Sequence, residues 1–510
     1  MRFFFLCIIT ALAAADADLD AQLDALTQKL EILQLKAQLA ELQRSTAAAT
    51  SAKATTMVRA AAPRKRVLMM VGGDLDDYNR EIFELIISNA GGPNSTLCVI
   101  ATNGEDPCCD PDSSWVFYQQ LFTGYGATDV KYINIDVNNS FPGSHTGNAY
   151  DPAIIEQIMA CDGFWFGGGD QTRIMKAWYD NNVTGRMNTR TPTPAMTALL
   201  ERFEEHGGVL AGSSAGTDCH NAKVMVTDGD SYSGLVKDTV AYNYSEGAVD
   251  LDDGTVTFDP NGALGTFSYG LLDTHFGERG RQGRMIRLLM DTLHLPNGYP
   301  IGFGVDQNTV IIVDKDDPSH AIVRGQAGVT ICNVEEASTT QWADAWSVTN
   351  VRCNYATPGD TVHMATGAIS FGADKTALKG RETAEQPYTS RDVFNSPKNP
   401  LTTGSTHEFV LQATSLFNST ATTATGLTFE TEPKTFAVRM TKDDRSVAYQ
   451  GMHSFNGTLQ SYTSYMDLLV DIFALDTKEA LSMAFKGGVA AERAQTKGMM
   501  AAARAQREDK

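Results

Sequence analysis

Between residues 66 and 293 the chain alternates strand-like and helix-like segments. That alternation predicts an α/β fold, a mostly parallel sheet with helices on both faces. Two observations carry it. Short apolar runs bounded by turn residues recur at 67–71, 97–101, 130–135, 163–166, 208–211 and 223–226. Segments with helical spacing separate or follow them, at 78–89, 114–125, 152–160, 172–179, 194–206 and 281–293. Composition permits such a fold: 42% of the 510 residues are hydrophobic, enough for a real core, and the length exceeds one ordinary domain. In open α/β sheets the chemistry lies beyond the carboxyl ends of the strands. The residues just after each apolar run are therefore the ones to read for function.

The flanks differ from this middle. Arg2 precedes an apolar run over 3–12, too short to span a bilayer, and Ala13-Ala14-Ala15-Asp16-Ala17 offers small residues for cleavage. Residues 1–17 are expected to be a signal peptide, which makes the chain secreted, with no stable membrane insertion. Sequons at Asn94, Asn138, Asn182, Asn243, Asn418 and Asn456 fit a secretory route and a glycoprotein. Without Cys7 the cysteines are Cys98, Cys108, Cys109, Cys161, Cys219, Cys332 and Cys353. The number is odd, so at least one thiol is free or pairs between chains. Cys332 and Cys353 are the candidates for a bridge late in the chain.

Residues 18–64 read as an amphipathic helix and linker. Leu19, Leu23, Leu26, Leu30 and Leu33 recur at steps of four and three, and Ile32, Leu35, Leu39 and Leu42 continue in a shifted register. Two readings stay open: a coiled coil that makes a homo-oligomer, or a helix docked on the main domain. Residues 45–63 are rich in Ala, Ser and Thr and form the linker. After about residue 325 the pattern turns to short alternating segments at 407–412, 427–430 and 434–440. A β-rich C-terminal domain is expected over 326–476, and a helical or disordered tail over 477–510. The formal net charge of −20 argues against nucleic acid as a partner, because phosphate would be repelled. No C-x-x-C spacing points to a metal, and nothing in the sequence calls for a cofactor.

Three segments carry chemistry. In the first, the apolar run 208–211 enters Gly212-Ser213-Ser214-Ala215-Gly216, a G-x-S-x-G nucleophile elbow with Ser214 at its centre. The amide of Ala215 would face a developing oxyanion. In the second, Phe166-Gly167-Gly168-Gly169-Asp170-Gln171 again follows an apolar run. Gly169 is the candidate for a second oxyanion donor and Gln171 for a substrate amide ligand. No Walker-type Lys follows, which argues against a nucleotide site. The third is Asp273-Thr274-His275-Phe276, followed by Arg279, Arg281 and Arg284. His275 is a natural general base for Ser214, and clustered arginines suit substrate carboxylates.

In this order the three segments resemble the cyanophycinase and peptidase E family of serine peptidases. That family has a GG-x-Q loop, a G-x-SAG elbow and a DxHFxxRxRxxR stretch, matched here by Gly168 to Gln171, Gly212 to Gly216 and Asp273 to Arg284. The resemblance spans roughly residues 66 to 330 and marks 65–325 as the peptidase domain. It implies a flavodoxin-like sheet of the class I glutamine amidotransferase type. It implies Ser214 as nucleophile, His275 as base, and Asp273 and the arginines around the substrate. The reaction implied is hydrolysis of aspartyl or β-aspartyl-arginine peptides through an acyl-enzyme.

One position departs from the pattern. The family's G-I-D-E segment, whose Glu completes a triad, reads Gly304-Val305-Asp306-Gln307. Gln307 is expected in the third-member position as an orienting amide. Asp306, Asp273 and Glu278 are the acids able to take its place. Thr274 stands where cyanophycinases commonly have Gln. Two functions follow: an active secreted serine exopeptidase, or a degenerate relative used for binding or assembly. A glutamine amidotransferase would need Cys at the elbow and is disfavoured by Ser214.

Overall fold

The computed structural model describes residues 64–475, apart from 106–107, 109–110, 138–145, 183–188, 243–253, 297, 343–344 and 403–405. The expected signal peptide, nearly all of the leucine-striped segment and linker, and the expected C-terminal tail lie outside the described residues. Among the described residues no helix is long and apolar enough to cross a membrane.

Five strands run parallel: β1 (Arg66–Val71), β2 (Thr96–Ile100), β3 (Asp129–Tyr132), β4 (Gly163–Phe166) and β5 (Gly208–Ser213). Their spatial order is β1-β5-β4-β2-β3. Helices α1 (Arg80–Ala90), α2 (Ser114–Gly124), α3 (Pro152–Met159), α4 (Gln171–Ala177) and α5 (Pro194–His206) connect them. Side chains of a strand alternate between faces, and the two cores divide accordingly. Val67, Met69 and Val71 pack with Ile82, Phe83, Ile86 and Phe122 of α1 and α2. Leu68 and Met70 belong to the cluster holding Ile155, Ile174, Met196 and Leu199 of α3, α4 and α5. Helices therefore cover both faces, as the alternation predicts.

The sheet is mixed rather than mostly parallel. Beyond β1 the strands Thr309–Asp314, His320–Gly325, Thr361–His363 and Ile369–Ser370 add antiparallel, giving nine strands. Short connections such as 315–319 leave no room for the crossover that parallel pairing needs. The run expected at 223–226 is the strand Met225–Asp228, in a separate three-stranded sheet.

A second sheet of ten strands begins with Leu271–Asp273 parallel to Ile301–Val305. It continues antiparallel through Val329–Asn333, Ala345–Ala356, Thr458–Ala474 and Phe436–Thr441. This is the β-rich C-terminal region, yet it shares both sheets with the residues before 325. The segment expected as a strand over 407–412 is the helix Glu408–Asn418. Phe409, Val410, Ala413, Leu416 and Phe417 are its buried apolar residues, and that spacing is helical only when read across the full length. Cys332 and Cys353 face each other across two strands and are bridged, as are Cys98 and Cys161. Cys219 is buried and free.

Candidate active site

The site assembles at the carboxyl ends of β1, β4 and β5. β5 ends at Ser213, and Ser214 turns the chain into the short helix Ala215–Asp218 with φ 56° and ψ −124°. A non-glycine residue held there is strained, and such strain persists only where the surroundings fix it. They do so here. The Ser214 amide donates to the Val71 carbonyl at 3.2 Å. The Thr217 hydroxyl stands 2.7 Å from both the Val71 and Gly212 carbonyl oxygens. A Cβ on Gly212 would overlap the Gly216 carbonyl, and one on Gly216 would overlap that of Phe166. Both flanking glycines are required by close backbone approach.

His275 follows the strand Leu271–Asp273, with φ 45° and its amide donating to the Gly72 carbonyl at 2.7 Å. Its Nε2 lies 2.7 Å from Ser214 Oγ. Burial, together with the charges of Arg279, Arg281 and Arg284, lowers the imidazole pKa to about 2. The ring is therefore neutral at any ordinary pH, and the same surroundings disfavour its protonated form.

Gln307 sits in the crossover Asp306-Gln307-Asn308, which carries the chain from Ile301–Val305 of the second sheet to Thr309–Asp314 of the first. Its side-chain amide lies 2.7 Å from His275 Nδ1, with Nε2 as the near atom. With the nitrogen there, the imidazole proton must sit on Nε2, and the ring cannot take the serine proton. With the amide turned over, Oε1 accepts Nδ1–H and leaves Nε2 as the acceptor that a general base needs. A general-base role for His275 requires the second orientation.

Among the described residues no carboxylate takes Gln307's place. Asp306 accepts hydrogen bonds from the amides of Gly277 at 2.8 Å and Gly328 at 3.2 Å and from the Tyr355 hydroxyl at 2.7 Å. Glu278 Oε1 accepts the backbone N–H of Gln307 at 3.0 Å. Asp273 is fully buried and forked by Arg284, with Nε–Oδ2 at 2.9 Å and Nη2–Oδ1 at 2.5 Å. Against its burial, Arg284 and Arg281 hold Asp273 below the usual carboxylate range.

Several expected substrate ligands are thus committed elsewhere. Arg284 also donates to the Gly229 carbonyl at 2.7 Å, and Arg281 donates to the Thr274 carbonyl at 2.7 Å. Burial and repulsion from Arg284 push Arg281 down to about 9. Gln171 is buried, its Nε2 donating to the Val226 and Thr227 carbonyls at 2.8 and 3.2 Å. Its place at the start of α4 turns the side chain onto a neighbouring strand rather than into the site. Of the three arginines, only Arg279 is exposed.

Arg279 lines a cleft of about 410 Å³ that contains Ser214, His275, Gly168 and Gly169. The amides of Gly169 and Ala215 make no hydrogen bond among the described residues. Gly169 lines the cleft with Ser214, and Ala215 is the residue after it. Leu75, Phe83, Phe117, Tyr118, Leu121 and Trp165 make one wall apolar and aromatic, and Asp74 adds an exposed carboxylate. Sequence reasoning missed this wall and Asp74. Half of the wall, Phe117, Tyr118 and Leu121, comes from α2, whose side chains lie outside the three motifs.

No protein-family profile matches the chain. Two solved structures are similar to it. One is a peptidase from an acI-B1 Actinobacterium, at 16% identity and a TM-score of 0.37, covering 59% of this chain and 97% of that one. The other is a protein assigned to peptidase E, from Listeria monocytogenes EGD-e, at 12% identity and a TM-score of 0.30, covering 52% of this chain and 100% of that one.

Proposed function

We propose that this chain is a secreted serine-type exopeptidase of the cyanophycinase and peptidase E kind, acting on acidic peptides through an acyl-enzyme. One observation carries the reading: Ser214 Oγ, His275 and the Gln307 amide form an unbroken hydrogen-bonded chain, 2.7 Å at each step, and Ser214 and His275 line a cleft. In this mechanism His275 Nε2 takes the Ser214 proton as Oγ attacks the scissile carbonyl. The Gly169 and Ala215 amides receive the oxyanion. The imidazolium then returns its proton to the leaving amine, and water releases the acyl group by the same steps.

The cleft supports an acidic substrate. Arg279 is its exposed cation and suits a carboxylate next to the cleaved bond, as in an aspartyl or β-aspartyl-arginine peptide. Asp74 suits a free amine or a guanidinium on the same substrate. A flavodoxin-like sheet belongs to this reading too: β2 to β5 run in that fold's 2-1-3-4 order, with β1 added beyond β5. Secretion is supported by the N-terminal sequence and by the Cys98–Cys161 and Cys332–Cys353 bridges, which suit an oxidising compartment.

The test is reaction of the full chain with a fluorophosphonate. The label should fall on Ser214, and Ser214→Ala should abolish labelling and peptide cleavage while thermal unfolding stays unchanged. A second reading, a non-catalytic relative that binds rather than cleaves, is favoured by the uncharged Gln307. A folded wild-type protein that takes no label would establish it.

A further inference from the structure

Next to Gln307 lies a group of titratable side chains that the hydrolytic steps do not use. Glu278 Oε1, which accepts the Gln307 backbone N–H at 3.0 Å, also meets His407 Nε2 at 2.9 Å. Glu278 Oε2 is buried and has no hydrogen-bond partner among the described residues. Asp306, the residue before Gln307, is fully buried and lies 3.6 Å from His407 Nδ1. Two carboxylates are thus buried together, flanking the residue that orients the base. They repel: burial and the Glu278 charge push Asp306 up to about 6. His407 stands between them. Against its own burial, the hydrogen bond to Glu278 and the Asp306 charge raise its pKa to about 9.

Two further features fit a built contact. His407 caps the helix Glu408–Asn418 in the left-handed conformation, φ 44° and ψ 48°, which a non-glycine residue adopts at a cost. Gly277 has no side chain where one would intrude. A Cβ there would lie 2.6 Å from His407 Nδ1 and 2.9 Å from Asp306 Oδ1. His407 belongs to the β-rich C-terminal region, far along the chain from the three catalytic motifs.

We infer that His407 is a positioning residue for the catalytic base: its imidazolium holds Glu278, Glu278 holds the Gln307 backbone, and Gln307 orients His275. The C-terminal region thereby completes the site. The inference rests on the hydrolase reading, and its test separates the two. Among the described residues the charged groups facing His407 are Glu278 and Asp306, and Tyr355 bonds Asp306 from the second sheet.

The experiment measures inactivation of the full chain by a fluorophosphonate between pH 5 and about 10, resolving kinact from KI, for wild type and His407 variants. His407→Leu should lower kinact on the order of tenfold with KI unchanged, the effect of one lost charge-assisted hydrogen bond. His407→Lys, which keeps a cation, should recover most of it. Wild-type kinact should fall above about pH 9, where His407 loses its proton, and the Lys variant should move that fall upward. If His407→Leu fails to fold, His407→Gln and the comparison of wild-type and Lys pH profiles decide. A folded His407→Leu or His407→Gln protein with wild-type kinact overturns the inference and leaves the hydrolase reading standing. So do identical alkaline limbs in wild type and His407→Lys. A wild type that never labels overturns both.

Discussion

At the scale of single residues, Gln307 sets the rate expected of the proposed hydrolase. An amide can orient His275 through its carbonyl oxygen, but it carries no charge to stabilise the imidazolium that forms during attack. The surroundings make that worse, because burial and three nearby arginines already disfavour a charged ring. In serine-protease triads, replacing the acid by its amide costs about 10⁴ in kcat. Gln307→Glu should therefore raise kcat, by less than that factor, because Asp306 and Glu278 are already buried nearby and a third carboxylate meets their repulsion. The pH profile gives a second readout. A base works only above its pKa, so the wild-type rate should stay flat down to the acid limit set by a pKa of about 2. A carboxylate at position 307 favours the imidazolium and raises that pKa, which moves the acid limb toward neutral pH. Steady-state rates from pH 3 to about 9 check both effects. An unchanged rate and profile in Gln307→Glu would remove Gln307 from the mechanism.

At the scale of elements, the stretch from Asp273 to Arg284 shows why a motif does not assign its own roles. Its residues are divided by a turn and the helix Gln282–Thr292. Arg284 enters that helix and points inward onto Asp273, whereas Arg279 stays in the turn at the cleft. The two should fail differently. Arg279→Ala should raise KM for acidic peptides and move stability by no more than about 0.5 kcal/mol, as exposed substitutions do. Arg284→Ala takes away the forked partner of buried Asp273 and leaves only the longer Arg281 contact at 3.4 Å, and should cost about 3 kcal/mol. Urea unfolding of each variant alongside KM for an aspartyl peptide checks the pair, and equal stabilities would refute the division. Sequence reading reached the elements that are periodic and the turns that need glycine. The apolar runs of β1, β4 and β5, the elbow, and the residues around Ser214, His275 and Gln307 were all legible. What a side chain does after the backbone turns is not, and Gln171 and Arg284, expected at the substrate, bond to neighbouring backbone and to Asp273 instead. The 407–412 window was too short to tell a strand from a helix. His407 has no local signal at all, since its partners are brought to it only by tertiary structure.

At the scale of the whole molecule, the two sheets bind the expected domains into one folding problem. Ile301–Val305 pairs with Val329–Asn333, and His320–Gly325 pairs with Thr361–His363. Each pairing crosses residue 325, where composition suggested a boundary. A buried cluster also ties the sheets: Lys375 Nζ lies 2.7 Å from Asp360 Oδ1, 2.7 Å from the Thr357 hydroxyl and 3.1 Å from that of Ser464. Ser464 belongs to the longest strand of the second sheet, and Asp360 directly precedes a strand of the first. A chain ended after Gly325 would keep Ser214, His275 and Gln307. It would lose the strand that covers Ile301–Val305, whose Ile301, Phe303 and Val305 are buried, and it would lose His407. Unpaired backbone and newly exposed apolar surface both act against folding. Such a chain should therefore show no cooperative thermal transition, lack the near-ultraviolet dichroism of packed aromatics, and take no fluorophosphonate at Ser214. The full chain under the same conditions should unfold cooperatively, show that dichroism and take the label at Ser214. Cooperative unfolding and full-rate labelling of the shortened chain would show that the catalytic half stands alone and that the second sheet is an appendage.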